Sequence, residues 1–162
     1  MGFTYSREWE NELVSLYQNA DSEEDDEKIY ALLERVDRYD DIRTARALFK
    51  CLKIEIEGID QAAINILGAM DYVLYYEAVF QTISTYSDSE LADAVSLLDW
   101  PGGTLSLQDL ESNVFIFIDN NLDINRMKKL VHEIEETDYH EEQPHMYFYN
   151  YFKHKIAEKS HD

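Results

Sequence analysis

The sequence has few basic residues, and its middle has none. Of 162 residues, 14 are Lys or Arg and 34 are Asp or Glu, which gives a formal net charge of −20. The stretch from Ile54 to Asn125 contains no Lys, Arg or His. Nucleic-acid binding depends on clustered cations that contact phosphates, so this composition argues against a DNA-binding or RNA-binding protein. It argues equally against attraction to an anionic membrane surface.

Cysteine, proline and glycine are also scarce. Cys51 is the single cysteine, which excludes an internal disulfide and a zinc site built from several cysteines. It lies beside Phe49 and Leu52, a setting typical of a small buried residue rather than a reactive thiol. Two prolines and five glycines provide few turns for a many-stranded sheet. No apolar run reaches the ~18 residues of a membrane span, and the N-terminus lacks a signal core, so we expect a cytoplasmic protein.

Apolar residues recur at helical spacing along nearly the whole chain. Ser6, Ser22 and Asp71 stand where N-cap residues are expected. The clearest turn signal is Trp100-Pro101-Gly102-Gly103. The pattern predicts one domain, residues 1–162, of about nine helices. These begin at Ser6 and Ser22 and then run from Asp40 or Asp41 to Ile56, from Asp60 to Met70, from Asp71 to Tyr86, from Ser87 or Asp88 onward, from Ser106 to Asn120, from Asp123 to Thr137, and from Pro144 onward.

Short helices with short connections are typical of stacked helix hairpins. The predicted fold is therefore all-α, with stacked antiparallel helix hairpins in an irregular HEAT-like α-solenoid. Residues 114–118 have strand propensity, but the flanking helical pattern favours a helix. In the helix from Ser106 to Asn120 we expect Leu107, Leu110, Val114, Phe117 and Ile118 to be buried. In the helix that ends near Ile56, stopped by Gly58, we expect Arg43, Arg46, Lys50 and Lys53 to pair with acids of the preceding helix.

No motif of an enzyme active site is present. The chain lacks a Gly-rich phosphate loop, a His-Glu-x-x-His motif and a Gly-x-Ser-x-Gly motif. His132, His140 and His145 lie near several glutamates, but no pair of them has the i, i+4 spacing of a helical zinc site. We therefore expect solvated side chains in this segment, no metal, no cofactor and no catalytic residues. A metal-dependent enzyme is the alternative.

Three segments carry a likeness to a known family. They are Ala47-Leu48-Phe49-Lys50-Cys51-Leu52, the segment from Asp60 through Leu67, and Asp71-Tyr72 leading into Tyr75-Tyr76-Glu77-Ala78. Over roughly residues 40–135 the chain resembles the all-helical, HEAT-like immunity proteins of bacterial polymorphic-toxin and contact-dependent growth inhibition loci. It departs from their pattern in its strong acidity and its aromatic C-terminal helix. The resemblance implies tight binding to one cognate toxin domain and a block of its active site or substrate groove.

The charge pattern leads to a partner of the same kind. Acidic surfaces steer basic proteins into rapid association, and we expect most carboxylates between Ile54 and Asn125 to lack internal partners. Taken with the resemblance, which implies stoichiometric binding and toxins that are often nucleases, the prediction is an immunity protein that neutralises a basic, nuclease-type toxin C-terminal domain. The alternatives are a helical scaffold or adaptor for a basic cellular protein and, less favoured, a DNA mimic.

Aromatic rings among carboxylates suit such an interface. Trp100 could anchor a partner or plug its own turn, and at least one of Tyr147, Tyr149 and Tyr151 should be exposed. The acidic residues between Glu133 and Glu142 form a rival surface, and the oligomeric state is left open. The predicted contact residues are Asp60, Asp71, Tyr72, Tyr75, Glu77, Asp88, Asp93, Asp99, Trp100, Asp109 and Glu111.

Overall fold

The protein is built from helices. The computed structural model describes residues 2–56, 58–137 and 141–160, which contain ten α-helices and no strand. The all-α prediction is confirmed. Within those residues, no helix combines the length and apolar character that a membrane span requires. The helices are α1 Arg7–Asn19, α2 Glu23–Glu34, α3 Ile42–Ile54, α4 Asp60–Ala69, α5 Tyr72–Ile83, α6 Leu91–Ala94, α7 Leu107–Asn113, α8 Phe115–Asn121, α9 Ile124–Glu135 and α10 His145–Ser160, with 3₁₀ helices at Asp88–Glu90 and Val95–Leu98.

Short polar side chains begin α1, α2 and α5 as predicted. The Ser6 hydroxyl accepts a hydrogen bond from the Trp9 N–H at 3.1 Å, and the Ser22 hydroxyl accepts one from Asp25. The Asp71 carboxylate accepts from the Val73 N–H at 2.8 Å. These bonds satisfy backbone donors that the first turn of a helix leaves without intrahelical acceptors.

The chain divides into two compact units, Met1–Ala78 and Val79–Asp162, and the division falls within α5. The single-domain organisation stays a prediction. In the first unit, α1 packs on α2 and α3, while α4 packs on α2 and α3. The indole N–H of buried Trp9 donates to the Leu32 carbonyl at 3.0 Å. Cys51 is buried as predicted, and burial raises the pKa of its thiol to about 12.

The second unit is organised around α9 and α10, which pack against each other. The short α6 contacts α9, and the 3₁₀ helix Val95–Leu98 contacts both α9 and α10. Phe148 is fully buried, with its ring 5.8 Å from those of Phe80 and Phe115. His145 is also buried, and its Nε2 lies 2.9 Å from the Val95 carbonyl oxygen. The expectation that His145 is solvated is therefore wrong, because its ring bonds a backbone group in the core.

The predicted helix from Ser106 to Asn120 is two helices, α7 and α8. Val114 separates them, with φ −121° and ψ −44°, a φ outside the helical range. A break of one residue changes which positions face the interior. Phe115, directly after the break, is therefore buried and Phe117 only partly buried, while Leu107, expected in the core, is exposed at the first position of α7. The segment after Ser87 is likewise not one helix but the short α6 between two 3₁₀ helices.

The helix α3 also differs from its prediction. It ends at Ile54 rather than Ile56, and Glu55 then has a φ of 61°, so the helix stops before Gly58. The Lys50 ammonium pairs with Glu10 of α1 at 2.5 Å, and the Arg43 guanidinium pairs with Asp41, the N-cap of its own helix, at 2.8 Å. Pairing of these two cations with α2 is therefore a wrong prediction. The reason is tertiary: α3 packs along α1, which brings Lys50 to Glu10.

Candidate functional site

Several carboxylates between Ile54 and Asn125 serve the starts of helices. Besides Asp71, the Glu90 carboxylate accepts from the Ser87 N–H at 2.9 Å, and Asp109 accepts from the Ser106 N–H at 3.2 Å. Asp123 accepts from the Arg126 N–H at 2.7 Å. Negative charge at these positions complements the helix dipole. Part of the acidity that suggests a partner therefore has a role within the fold.

Two further carboxylates are paired with cations that follow the acidic stretch. Asp88 accepts a hydrogen bond from the Lys129 ammonium at 2.8 Å, and this bond lowers the pKa of Asp88. Asp119 accepts from the Tyr151 hydroxyl at 2.7 Å and lies 3.6 Å from the Lys155 ammonium. The expectation that the acidic stretch lacks internal partners is wrong for these residues. The chain brings α9 and α10, which carry cations, back to residues in the stretch.

Two of the predicted contact residues lie inside the first unit. Tyr75 is 2% exposed, with its ring 5.5 Å from Phe49 and 5.1 Å from Tyr76. Asp60 is partly buried and accepts from the Tyr17 hydroxyl and the Ile56 N–H, both at 3.2 Å. Tyr75 is therefore not available to a partner, and the Asp60 carboxylate is engaged within the unit.

Four predicted contact residues keep carboxylates without a hydrogen bond or ion pair to any described residue: Glu77, Asp93, Asp99 and Glu111. The last three are exposed, and Glu77 is partly exposed. Tyr72 and Trp100 are partly buried. These carboxylates are the part of the predicted surface that can accept a cation without losing a contact within the fold.

The second unit contains a groove, which we call the α8–α10 groove. Its volume is about 500 Å³. Leu107 is 40% exposed and Ile116 is 55% exposed, and both line it. Opposite them, α10 contributes polar and aromatic side chains. The complete lining is Leu107, Glu111, Phe115, Ile116, Asp119, Tyr147, Asn150, Tyr151 and His154.

The base of the groove is an aromatic stack. The rings of Phe115 and Tyr151 lie 4.1 Å apart at an interplanar angle of 23°. Burial raises the pKa of Tyr151, and its hydrogen bond to the Asp119 carboxylate raises it further, so the hydroxyl stays protonated and donates to that carboxylate. Because Tyr151 and Lys155 engage Asp119, Glu111 is the lining carboxylate that has no partner among the described residues.

The groove overlaps the predicted contact surface only in part. Glu111 lines it, and Asp109 lies on the same helix. Leu107, Ile116 and Asn150 were not among the predicted contact residues, and Leu107 was expected in the core of an unbroken helix. The alternating tyrosines of α10 were the available signal, and each of Tyr147, Tyr149 and Tyr151 is indeed partly exposed.

The rival acidic surface and the possible metal segment are described only in part. Asp138, Tyr139 and His140 lie outside the described residues. Glu135 accepts from the Tyr149 hydroxyl at 3.0 Å, and Glu136 lies 3.7 Å from His132 Nε2. Residues 2–56, 58–137 and 141–160 contain no group of three or more His, Cys, Asp or Glu arranged to hold a metal ion.

No family model, curated protein or solved structure matches this chain.

Proposed function

We propose that the protein is an acidic immunity protein, which binds a basic toxin domain of the nuclease type in a stoichiometric complex and so neutralises it. One observation carries the proposal. In a chain of net charge −20, the second unit has a groove with exposed aliphatic side chains and a carboxylate that has no partner among the described residues.

The two features of the groove suit complementary roles in such a complex. Burial of exposed apolar side chains such as Ile116 against a partner lowers the free energy of the complex, because it removes them from water. Carboxylates such as Glu111 attract a cationic surface from a distance and discriminate against acidic proteins. A nuclease domain is a suitable partner because its substrate-binding surface must be basic to hold phosphates. Occupying that surface would exclude its substrate.

The test is to produce the protein together with the C-terminal toxin domain encoded beside its own gene. We expect a 1:1 complex on size-exclusion chromatography and loss of the domain's nuclease activity at one equivalent of the protein. The association rate constant should fall at least about tenfold between low and high salt, because salt screens the long-range attraction. A toxin domain from an unrelated locus is the control and should stay active.

The outcome also separates the proposal from the adaptor alternative. A complex that leaves the bound protein active, or a partner that is an ordinary cellular protein whose loss is harmless, would contradict an immunity function. In that case the interface should be more apolar than acidic, and charge reversal at Asp71 and Glu77 should leave the dissociation constant nearly unchanged.

A further inference from the structure

We propose that the α8–α10 groove receives a basic amphipathic helix of the partner. An apolar side chain of that helix would lie against Leu107 and Ile116, and a Lys or Arg one turn away would pair with Glu111. This inference rests on the proposed function and specifies the chemistry of the partner at that site.

The large aliphatic side chains that are exposed in the described part of the chain converge on this groove. Among the described residues, the large hydrophobic side chains that are exposed are Leu107, Ile116, Tyr30 and Tyr39, and the only two aliphatic ones both line the groove. Tyrosine is readily tolerated at a surface because its hydroxyl forms hydrogen bonds with water, whereas the side chains of exposed Leu and Ile form none. This concentration of aliphatic surface marks a site that a partner covers.

The spacing of the groove residues defines the pattern of the occupant. Leu107 and Glu111 are four residues apart on α7, so their side chains lie on one face, one turn apart. An occupant that satisfies both must present an apolar and a cationic side chain at a matching separation. A helix with an apolar residue and a Lys or Arg at i and i+4 meets this requirement, and helices bind grooves between other helices in this way.

The charge of the groove selects a basic occupant. No Lys or Arg is among the lining residues, Glu111 has no partner among the described residues, and Asp119 is already engaged by Tyr151 and Lys155. One cation opposite Glu111 would therefore neutralise the lining carboxylate that has no partner among the described residues. A second copy of this chain is a poor occupant, because bringing two molecules of charge −20 together is opposed by repulsion.

The groove is supported from below by packed aromatic rings. Phe115 stacks on Tyr151 at 4.1 Å and contacts fully buried Phe148 at 5.8 Å. Rings held on both sides keep their rotamers, so the groove needs little rearrangement before an apolar side chain enters it.

The direct test uses a designed probe with the full-length protein. The probe is a helical peptide of about 15 residues made of Leu, Ala and Lys, with Leu and Lys at i and i+4. Its matched control replaces each Lys with Glu. In an NMR titration we expect saturable shifts at Leu107, Ile116 and Tyr147, and at least tenfold weaker binding of the control peptide. Shifts elsewhere, no saturation, or equal binding of both peptides would overturn the inference.

Variants separate local contact from overall charge. Ile116→Asp and Glu111→Lys should each weaken binding of the basic peptide at least tenfold, and both residues are exposed, so the fold should be retained. Glu12→Lys changes the net charge equally at an exposed site on α1, and it should alter binding less than twofold. If Glu12→Lys and Glu111→Lys weaken binding to the same extent, only the net charge matters and the groove contact is refuted.

The same variants distinguish failure of this inference from failure of the proposed function. If the cognate toxin domain is inhibited equally by the wild-type protein and Ile116→Asp, the immunity function stands and the groove is not its site. If no toxin domain is inhibited but the basic peptide binds the groove as expected, the inference stands and the immunity function is refuted.

Discussion

Replacement of Asp60 with Ala tests whether a carboxylate of the acidic stretch acts in folding rather than binding. Asp60 accepts hydrogen bonds from the Tyr17 hydroxyl and from the Ile56 N–H, both at 3.2 Å. Tyr17 is only 2% exposed, so water has little access to its side chain in the folded protein. Removal of the carboxylate leaves two donors without this acceptor, and it also removes a negative charge from the first turn of α4.

The magnitude follows from these contacts. A buried donor left without an acceptor costs about 1–3 kcal/mol, and an acidic residue in a first helical turn contributes ~0.3–1 kcal/mol. Asp60 is itself partly exposed, so water can replace part of what is lost. We expect Asp60→Ala to lower the free energy of unfolding by about 2–3 kcal/mol. Asp60→Asn should cost less, because its amide oxygen can still accept one bond.

Urea unfolding followed by circular dichroism measures this change, with Tyr17→Phe and the double variant completing a cycle. The coupling between Asp60 and Tyr17 should be about 1 kcal/mol or more. Asp99→Ala is the control, since the Asp99 side chain is exposed and has no bond to a described residue, and it should change stability by less than ~0.5 kcal/mol. Equal stability losses in Asp60→Ala and Asp99→Ala would refute this assignment of Asp60. So would a coupling near zero.

Three further outcomes can be checked with standard assays. Burial acts to raise the pKa of Glu10, but hydrogen bonds from Lys50 and Tyr5 outweigh it and hold that pKa below its usual value. Glu10 is 13% exposed, so at pH values above the unfolded pKa of Glu, near 4.3, Glu10→Gln should lower the free energy of unfolding by about 1–2 kcal/mol. The difference from wild type should vanish as pH falls through the folded pKa of Glu10. A difference that stays constant with pH in urea unfolding would contradict this. Phe148→Ala should lower the free energy of unfolding by about 3–5 kcal/mol, measured in urea, and should also abolish binding of the basic peptide. A variant that keeps its stability and still binds the peptide would show that the Phe148 ring does not support the groove. Cys51 should react with iodoacetamide at least ~100-fold more slowly in the native protein than in urea, because its thiol is buried and its pKa is raised to about 12; comparable rates would show that the thiol is accessible.

Local signals in the sequence were sufficient for the class of fold and for many helix starts. Ser6, Ser22 and Asp71 cap helices as expected, because a cap depends on one short side chain and backbone groups two or three residues away. The burial of Cys51 follows from its residue type, and that of Met127, Leu130 and Ile134 on α9 from their helical spacing. The break at Val114 was not predicted, because Val114 carries no proline or glycine signal and lies within an otherwise helical pattern.

For the candidate site, too, some properties follow from the sequence and others only from tertiary packing. Net charge and the absence of cations between Ile54 and Asn125 are properties of the sequence alone, and from them we expect a partner with positive charge. Which carboxylates are free to meet it depends on residues distant along the chain. Asp60 is engaged by Tyr17, Asp88 by Lys129 and Asp119 by Tyr151, whereas Glu111 has no partner among the described residues. Composition therefore determined that this protein is acidic, and apolar spacing that it is helical. Only tertiary packing places α10 beside α7 and α8 and so forms the α8–α10 groove, because its lining residues are distant along the chain.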